Sequence, residues 1–232
     1  MQSTAVTLDS PVDAIGFRFS VGTRFYAARY RDAAIDISAS LIGSNPAYDE
    51  YKSGDGEDPY RYFARISLTP QARYAGLLLW HDRRGGSGAD AQTNAYRMIF
   101  GARTSAQDIP TSGRWTMQGN AEIASNGPTM FNAERRTATV SVEIDWPTRT
   151  GSGQITLAAS SGTDAPAVYP MALSIGNDGQ ILGSIRRQQG SFRFNGSVQG
   201  ALFGPGGREI GLVFQIENST HYETGSAIAV VN

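Results

Sequence analysis

The chain has 232 residues, 20 basic and 21 acidic side chains for a formal charge of -1, and no cysteine. A near-neutral chain sets up no global field that would gather nucleic acid or an anionic membrane. Absence of cysteine excludes disulfides, thiolate metal centres and cysteine nucleophiles. Cutting at Pro110 leaves 12 basic and 12 acidic residues before it and 8 and 9 after it, so neither half is a charged arm. The length suits one large all-β domain or two smaller ones.

The N-terminal stretch MQSTAVTLDSPVDA has no basic region followed by an apolar one, and no run of about 18 apolar residues occurs anywhere. The expectation is a chain without a transmembrane segment, with any export leader or acylated cysteine lying outside the residues given. Gly at 27 and Pro at 10 are spread along the chain and punctuate short segments that alternate apolar and polar residues, a β signature.

Six short strand candidates come first: DAIGFRFSV, RFYAARY, AAIDISASLIG, YRYFARISL, ARYAGLLLWHD and NAYRMIFG. Polar segments from Ser44 to Pro59 and from Arg83 to Thr93 separate them and read as exposed loops. The first carries Asp49, Glu50, Asp55, Glu57 and Asp58 among Tyr48, Tyr51, Tyr60 and Tyr62. Its spacing misses the calcium-loop pattern, whereas tyrosines interleaved with polar residues suit a partner contact. Trp80-His81-Asp82 is a second candidate contact; His81 and His221 are the possible axial ligands for haem iron.

From Gly113 onward the alternation is cleaner. In RTATVSVEIDW, Val140, Val142, Ile144 and Trp146 share one face, and Thr139, Ser141, Glu143 and Asp145 the other. GRWTMQGNAEIA, RTATVSVEIDW, GQITLAAS, YPMALSIG, QILGSIRR, GSFRFNGSVQGALFG, REIGLVFQIE and TGSAIAVVN make eight antiparallel candidates joined mostly by short turns, Asn177-Asp178-Gly179 among them. Eight strands can close into a barrel whose lumen the side chains just fill, which also removes exposed edges. A two-layer sandwich has the same strand count. No nucleophile elbow, metalloprotease helix, phosphate loop or dinucleotide fingerprint is present, and Glu143 with Asp145 reads as the wet side of a sheet, so no catalytic residue is assigned.

In VQGALFGPGGREIGLVFQIE, Gly200, Phe203, Gly204, Pro205, Glu209, Gly211 and Phe214 fit the pattern G-x-F-[YF]-G-P-x-A-x-E-x-G-G-x-F without a gap. Leu202, Gly207 and Leu212 depart from it. FGARTSAQDIPTSGRWTMQG fits F-G-x-x-T-x-x-x-x-[MI]-P-T-x-G. Both resemble the transferrin-binding protein B family, surface lipoproteins of Gram-negative bacteria. The resemblance implies an all-β chain: a small antiparallel β handle domain over residues 1–110, followed by an eight-stranded antiparallel up-and-down β-barrel over 111–232. It also implies a non-enzymatic protein of the outer membrane, cell surface or periplasm that takes an iron source, haem or a host protein, toward an outer-membrane receptor. Haem is the expected cofactor if there is one; no structural metal is expected. Tyr48, Tyr51, Tyr60, Tyr62, Trp80 and His81 are candidate contacts chosen from the residues themselves. An adhesin or structural surface module without a small-molecule ligand is the alternative, and an enzyme ranks third.

Overall fold

The computed structural model describes residues 15–20, 25–30, 33–35, 40–45, 48–53, 61–66, 69–84, 92–125, 135–158, 166–189, 192–218 and 222–232. Strands dominate. The chain divides into two compact units, Met1–Arg65 with Leu79–Tyr96, and Ile66–Leu78 with Arg97–Asn232.

The early strands form two sheets. One has the order β1 (Ile15–Ser20), β2 (Phe25–Tyr30), β3 (Ala33–Ile35). The other runs β4 (Ser40–Asn45), β5 (Tyr48–Ser53), β6 (Arg61–Ile66), β7 (Ala75–Arg84), β8 (Gln92–Gly101) in sequence order. Three expectations need correction. AAIDISASLIG is not one strand, because β3 ends at Ile35 and β4 starts at Ser40. The polar segment from Ser44 is not a continuous loop either, since β5 occupies Tyr48–Ser53 and pairs antiparallel with β4. The sequence YDEYKS hides this strand because polar residues occupy both of its faces, leaving no alternation to read. Likewise β7 runs on to Arg84 and β8 begins at Gln92, which shortens the second polar segment at both ends.

Eight strands make the closed barrel: β9 (Arg114–Ser125), β10 (Arg135–Asp145), β11 (Thr150–Leu157), β12 (Ala167–Ile175), β13 (Gln180–Gln189), β14 (Phe192–Phe203), β15 (Glu209–Glu217) and β16 (Tyr222–Val231). Each pairs antiparallel with the next, and β16 returns to β9 in a ladder from Glu223↔Ser125 to Val231↔Met117. That last ladder decides between barrel and sandwich. All eight predicted strands are present in up-and-down order; β11 starts earlier than predicted, at Thr150.

The lumen is packed with apolar side chains. Val140, Val142 and Ile144 of β10, Ile155 and Leu157 of β11, Met171, Leu173 and Ile175 of β12, and Leu212, Phe214 and Ile216 of β15 are all buried in one cluster. Outward positions such as Thr137, Thr139, Glu143, Ser152, Gln154 and Ser174 are exposed. This is the inverse of a membrane-spanning barrel, which turns its apolar face outward. Among the described residues no helix is long and apolar enough to cross a membrane.

Candidate functional site

The two ends of the barrel are built differently. One end carries tight turns, residues 146–149, 176–179 and 204–208. Trp146, 1% exposed, stands edge-on to Trp115 there with ring centroids 5.3 Å apart, so two indoles plug the lumen. The Asn177-Asp178-Gly179 turn is present, with Gly179 at φ 77 and its N–H donated to the Gly176 carbonyl.

The hairpin between β14 and β15 belongs to the same end. Gly204, Gly206 and Gly207 all have positive φ, at 74, 69 and 70, a conformation that costs any other residue free energy. Neighbouring segments grip it. Gly204 donates its N–H to the Ala102 carbonyl at 2.8 Å and accepts the Thr104 hydroxyl on its own carbonyl at 2.7 Å. Glu209 is 5% exposed, yet its carboxylate is saturated: Oε1 accepts the Arg73 N–H at 2.7 Å, and Oε2 the N–H groups of Tyr74 and Ala75 at 2.9 and 2.8 Å. Gly211 is bare because Ile99 and Phe203 pack where a Cβ would stand. The motif residues Gly200, Phe203, Gly204, Pro205, Glu209, Gly211 and Phe214 thus sit in a mechanical joint within the second unit. Thr104, Ile109 and Gly113 of the upstream motif belong to it as well: Thr104 and Ile109 are buried, and the Gly113 carbonyl accepts the Trp146 N–H.

The opposite end is polar inside. Arg136 near the start of β10, Tyr169 of β12, Glu223 of β16, Arg187 late in β13 and Phe194 of β14 all fall at inward register positions of one rim. Glu223 is 9% exposed and lies between two donors: Arg136 pairs with its Oε1, and the Tyr169 hydroxyl donates to its Oε2 at 3.3 Å. Burial, and then the adjacent Glu223 carboxylate, push the Tyr169 phenol above its ordinary pKa, so it stays a donor. Tyr169 and Phe194 meet edge to face at 6.1 Å, and the Arg187 guanidinium lies 4.9 Å from the first ring's centroid and 5.5 Å from the second's. This is a partly buried cluster of two cations, one carboxylate and two rings.

Of the contact candidates read from the sequence, Tyr48 and Tyr51 lie on β5, Tyr62 on β6, and Trp80 and His81 on β7. Those three strands are consecutive neighbours in one sheet, so the topology gathers residues that the sequence spreads over thirty positions or so. Tyr60 and His221 lie outside the described residues.

This architecture has solved counterparts. A double mutant of transferrin binding protein B from Haemophilus parasuis Hp5 matches with TM-score 0.61 at 15% identity, over 95% of this chain and 45% of that one. Intact Ap-TbpB, with its N and C lobes, gives 0.58 at 13% identity over 88% and 43%. The chain has the transferrin binding protein B fold. The isotype 1 protein from serogroup B Neisseria meningitidis agrees, with TM-score 0.56 at 13% identity over 88% and 41%. The chain spans less than half the length of these transferrin binding protein B structures. No protein-family model and no curated protein sequence matches it.

Within the transferrin binding protein B fold, the rim cluster is what the sequence reading missed. A signal was present: Arg136 precedes Ala138 by one inward step, Glu223 precedes Gly225, and Arg187 follows Ile185. Counting parity outward from the apolar positions puts all three inside the barrel.

Proposed function

We propose that this chain is a non-enzymatic ligand-binding lipoprotein of a Gram-negative bacterium, held at the outer membrane, cell surface or periplasm, and that it takes up an iron source. One observation carries the reading: nearly the whole chain matches about half of proteins named for binding transferrin. The filled lumen supports it, because a barrel packed to its axis leaves recognition to rims and to the other unit.

Haem or another small iron carrier is the ligand we favour, presented onward to an outer-membrane receptor. Tyr48, Tyr51, Tyr60, Tyr62, Trp80 and His81 are the contacts proposed for it. Aromatic rings offer a flat carrier stacking area, and histidine and tyrosine are both axial ligands of haem iron.

The test has two arms. Purified chain is titrated with haemin while the Soret band is followed, alongside the His81→Ala variant, and is passed in parallel over immobilised iron-loaded transferrin. A saturable Soret shift weakened in His81→Ala supports the haem reading, and retention on transferrin supports a protein source. Binding in neither arm overturns iron capture and leaves the adhesin or structural-module reading.

A further inference from the structure

We propose that the polar rim of the barrel is a binding site for a small anionic group, a carboxylate or a phosphate, held by the guanidinium of Arg187. This stands apart from the iron-source reading, since it rests on barrel side chains alone.

The argument begins with charge. Inside the rim, Arg136 and Arg187 face a single carboxylate among the described residues, Glu223, which pairs with Arg136 through one oxygen and accepts the Tyr169 hydroxyl on the other. One positive charge is left over in a half-buried place. Among the described residues Arg187 has no carboxylate partner; its neighbours are the faces of Tyr169 and Phe194. The Nε of Arg136 is also buried without a hydrogen-bond partner. A guanidinium left without an acceptor in a partly buried place is costly, and an anion from solution relieves that cost.

Geometry then narrows the ligand. Because the two rings stand 86° apart, the planar guanidinium can lie parallel to one of them at most, and the in-plane N–H donors on its far side are left pointing away from both. Held by two rings in a T-shaped notch, that planar fork has little rotamer freedom left to lose on binding. Such a fork matches the paired oxygens of a carboxylate or phosphate. The surrounding field agrees in sign: of the eight arginines after Pro110, Arg135, Arg136, Arg186, Arg187 and Arg193 are on strand positions of this end, against Glu122, Glu217 and Glu223 among the described residues.

Tyr169 keeps the arrangement in place. Its hydroxyl occupies the Glu223 oxygen that Arg136 leaves open, and its raised pKa means it does so as a neutral phenol through the physiological range. Glu223 is held by these two bonds and makes no ion pair with Arg187 among the described residues.

The full chain is titrated by calorimetry at low ionic strength with inorganic phosphate and, separately, with citrate. Wild type is expected to bind at least one saturably, and the preferred anion tells phosphate from carboxylate. Arg187→Gln should weaken it about tenfold or more, the loss of one bidentate charge-assisted contact. Arg208→Gln, an equal charge change at the tight-turn end, should leave it unchanged. Arg187→Lys, which keeps charge without the planar fork, should fall between and serves if Arg187→Gln does not fold. No saturable binding of either anion by wild type overturns the proposal. So does an equal loss in Arg187→Gln and Arg208→Gln, which would mean diffuse surface charge.

Discussion

The carboxylate of Glu209 takes the backbone N–H of Tyr74 at 2.9 Å, joining residues 135 positions apart in the chain. Two further N–H groups, of Arg73 and Ala75, share that carboxylate, so one buried side chain satisfies three backbone donors in a row. Removing it strands all three. Glu209→Ala is expected to destabilise the second unit by about 2–4 kcal/mol, since each charge-assisted hydrogen bond contributes about 1.5–3 kcal/mol and water can reach part of the segment. Glu209→Gln, which keeps one acceptor oxygen but turns an NH₂ toward donors, should fall between. Urea midpoints of the three proteins check this; a loss under about 0.5 kcal/mol for Ala would mean that solvent already screens the tether.

Thr69 stitches the barrel seam. Its hydroxyl donates to the Ile228 carbonyl at 2.6 Å and accepts the Asn120 N–H at 3.0 Å, and those two residues face each other across the closing β9–β16 ladder. Thr69→Val keeps the shape and deletes both bonds, for an expected cost of about 1–3 kcal/mol. Hydrogen exchange at the Asn120 amide should speed up in the variant. Unchanged protection there would show that the strand ladder holds without the threonine.

How much of this was readable follows from where the information sits. Strands β9 to β16 announce themselves because Val140, Val142 and Ile144 must alternate with Thr139, Ser141 and Glu143 to fill a lumen and wet a surface. Strand β5 does not, because Tyr48 to Ser53 carries polar groups on both faces. The turn glycines were legible for a local reason, the backbone conformation each position demands. Glu209 was legible as a motif residue but not as a tether, since nothing in the sequence ties it to Tyr74. Arg136, Arg187 and Glu223 lay between these cases: their inward parity can be counted, yet charged residues near strand ends look solvated until closure places them inside.

Gly204 and Gly206 separate two costs that a glycine can hide. Both have positive φ, at 74 and 69, but a Cβ on Gly206 meets nothing while one on Gly204 runs into the Tyr74 ring. Gly206→Ala is therefore expected to cost only the backbone term, roughly 1–2 kcal/mol. Gly204, at φ 74 and ψ 173, lies in a region open essentially to glycine alone, so Gly204→Ala adds both a larger backbone cost and the displacement of Tyr74 and should exceed it by about 1–3 kcal/mol. Thermal denaturation of both variants tests the order. Equal losses would mean that both the Tyr74 ring and the backbone at position 204 relax to admit the methyl group.

Alkaline stability should depend on Tyr169. Burial first, and the Glu223 carboxylate second, raise its pKa above the ordinary phenol value of 10.0, so the folded state prefers the protonated hydroxyl more strongly than the unfolded chain does. A group shifted in this direction contributes its stability in full below the unfolded pKa and loses it as pH rises through the folded one. The wild-type urea midpoint should accordingly hold from neutral pH to about 9 and fall from about 10 upward. Tyr169→Phe cannot ionise. It should start lower by about 1 kcal/mol, for the lost hydrogen bond to Glu223, and then decline less steeply. Some decline persists in the variant because Tyr222, raised by burial and then by Glu217, titrates over the same range. Midpoints measured at neutral pH and about pH 11 decide the matter: parallel losses in the two proteins would show that the Tyr169 phenol is as well hydrated in the barrel as in the unfolded chain.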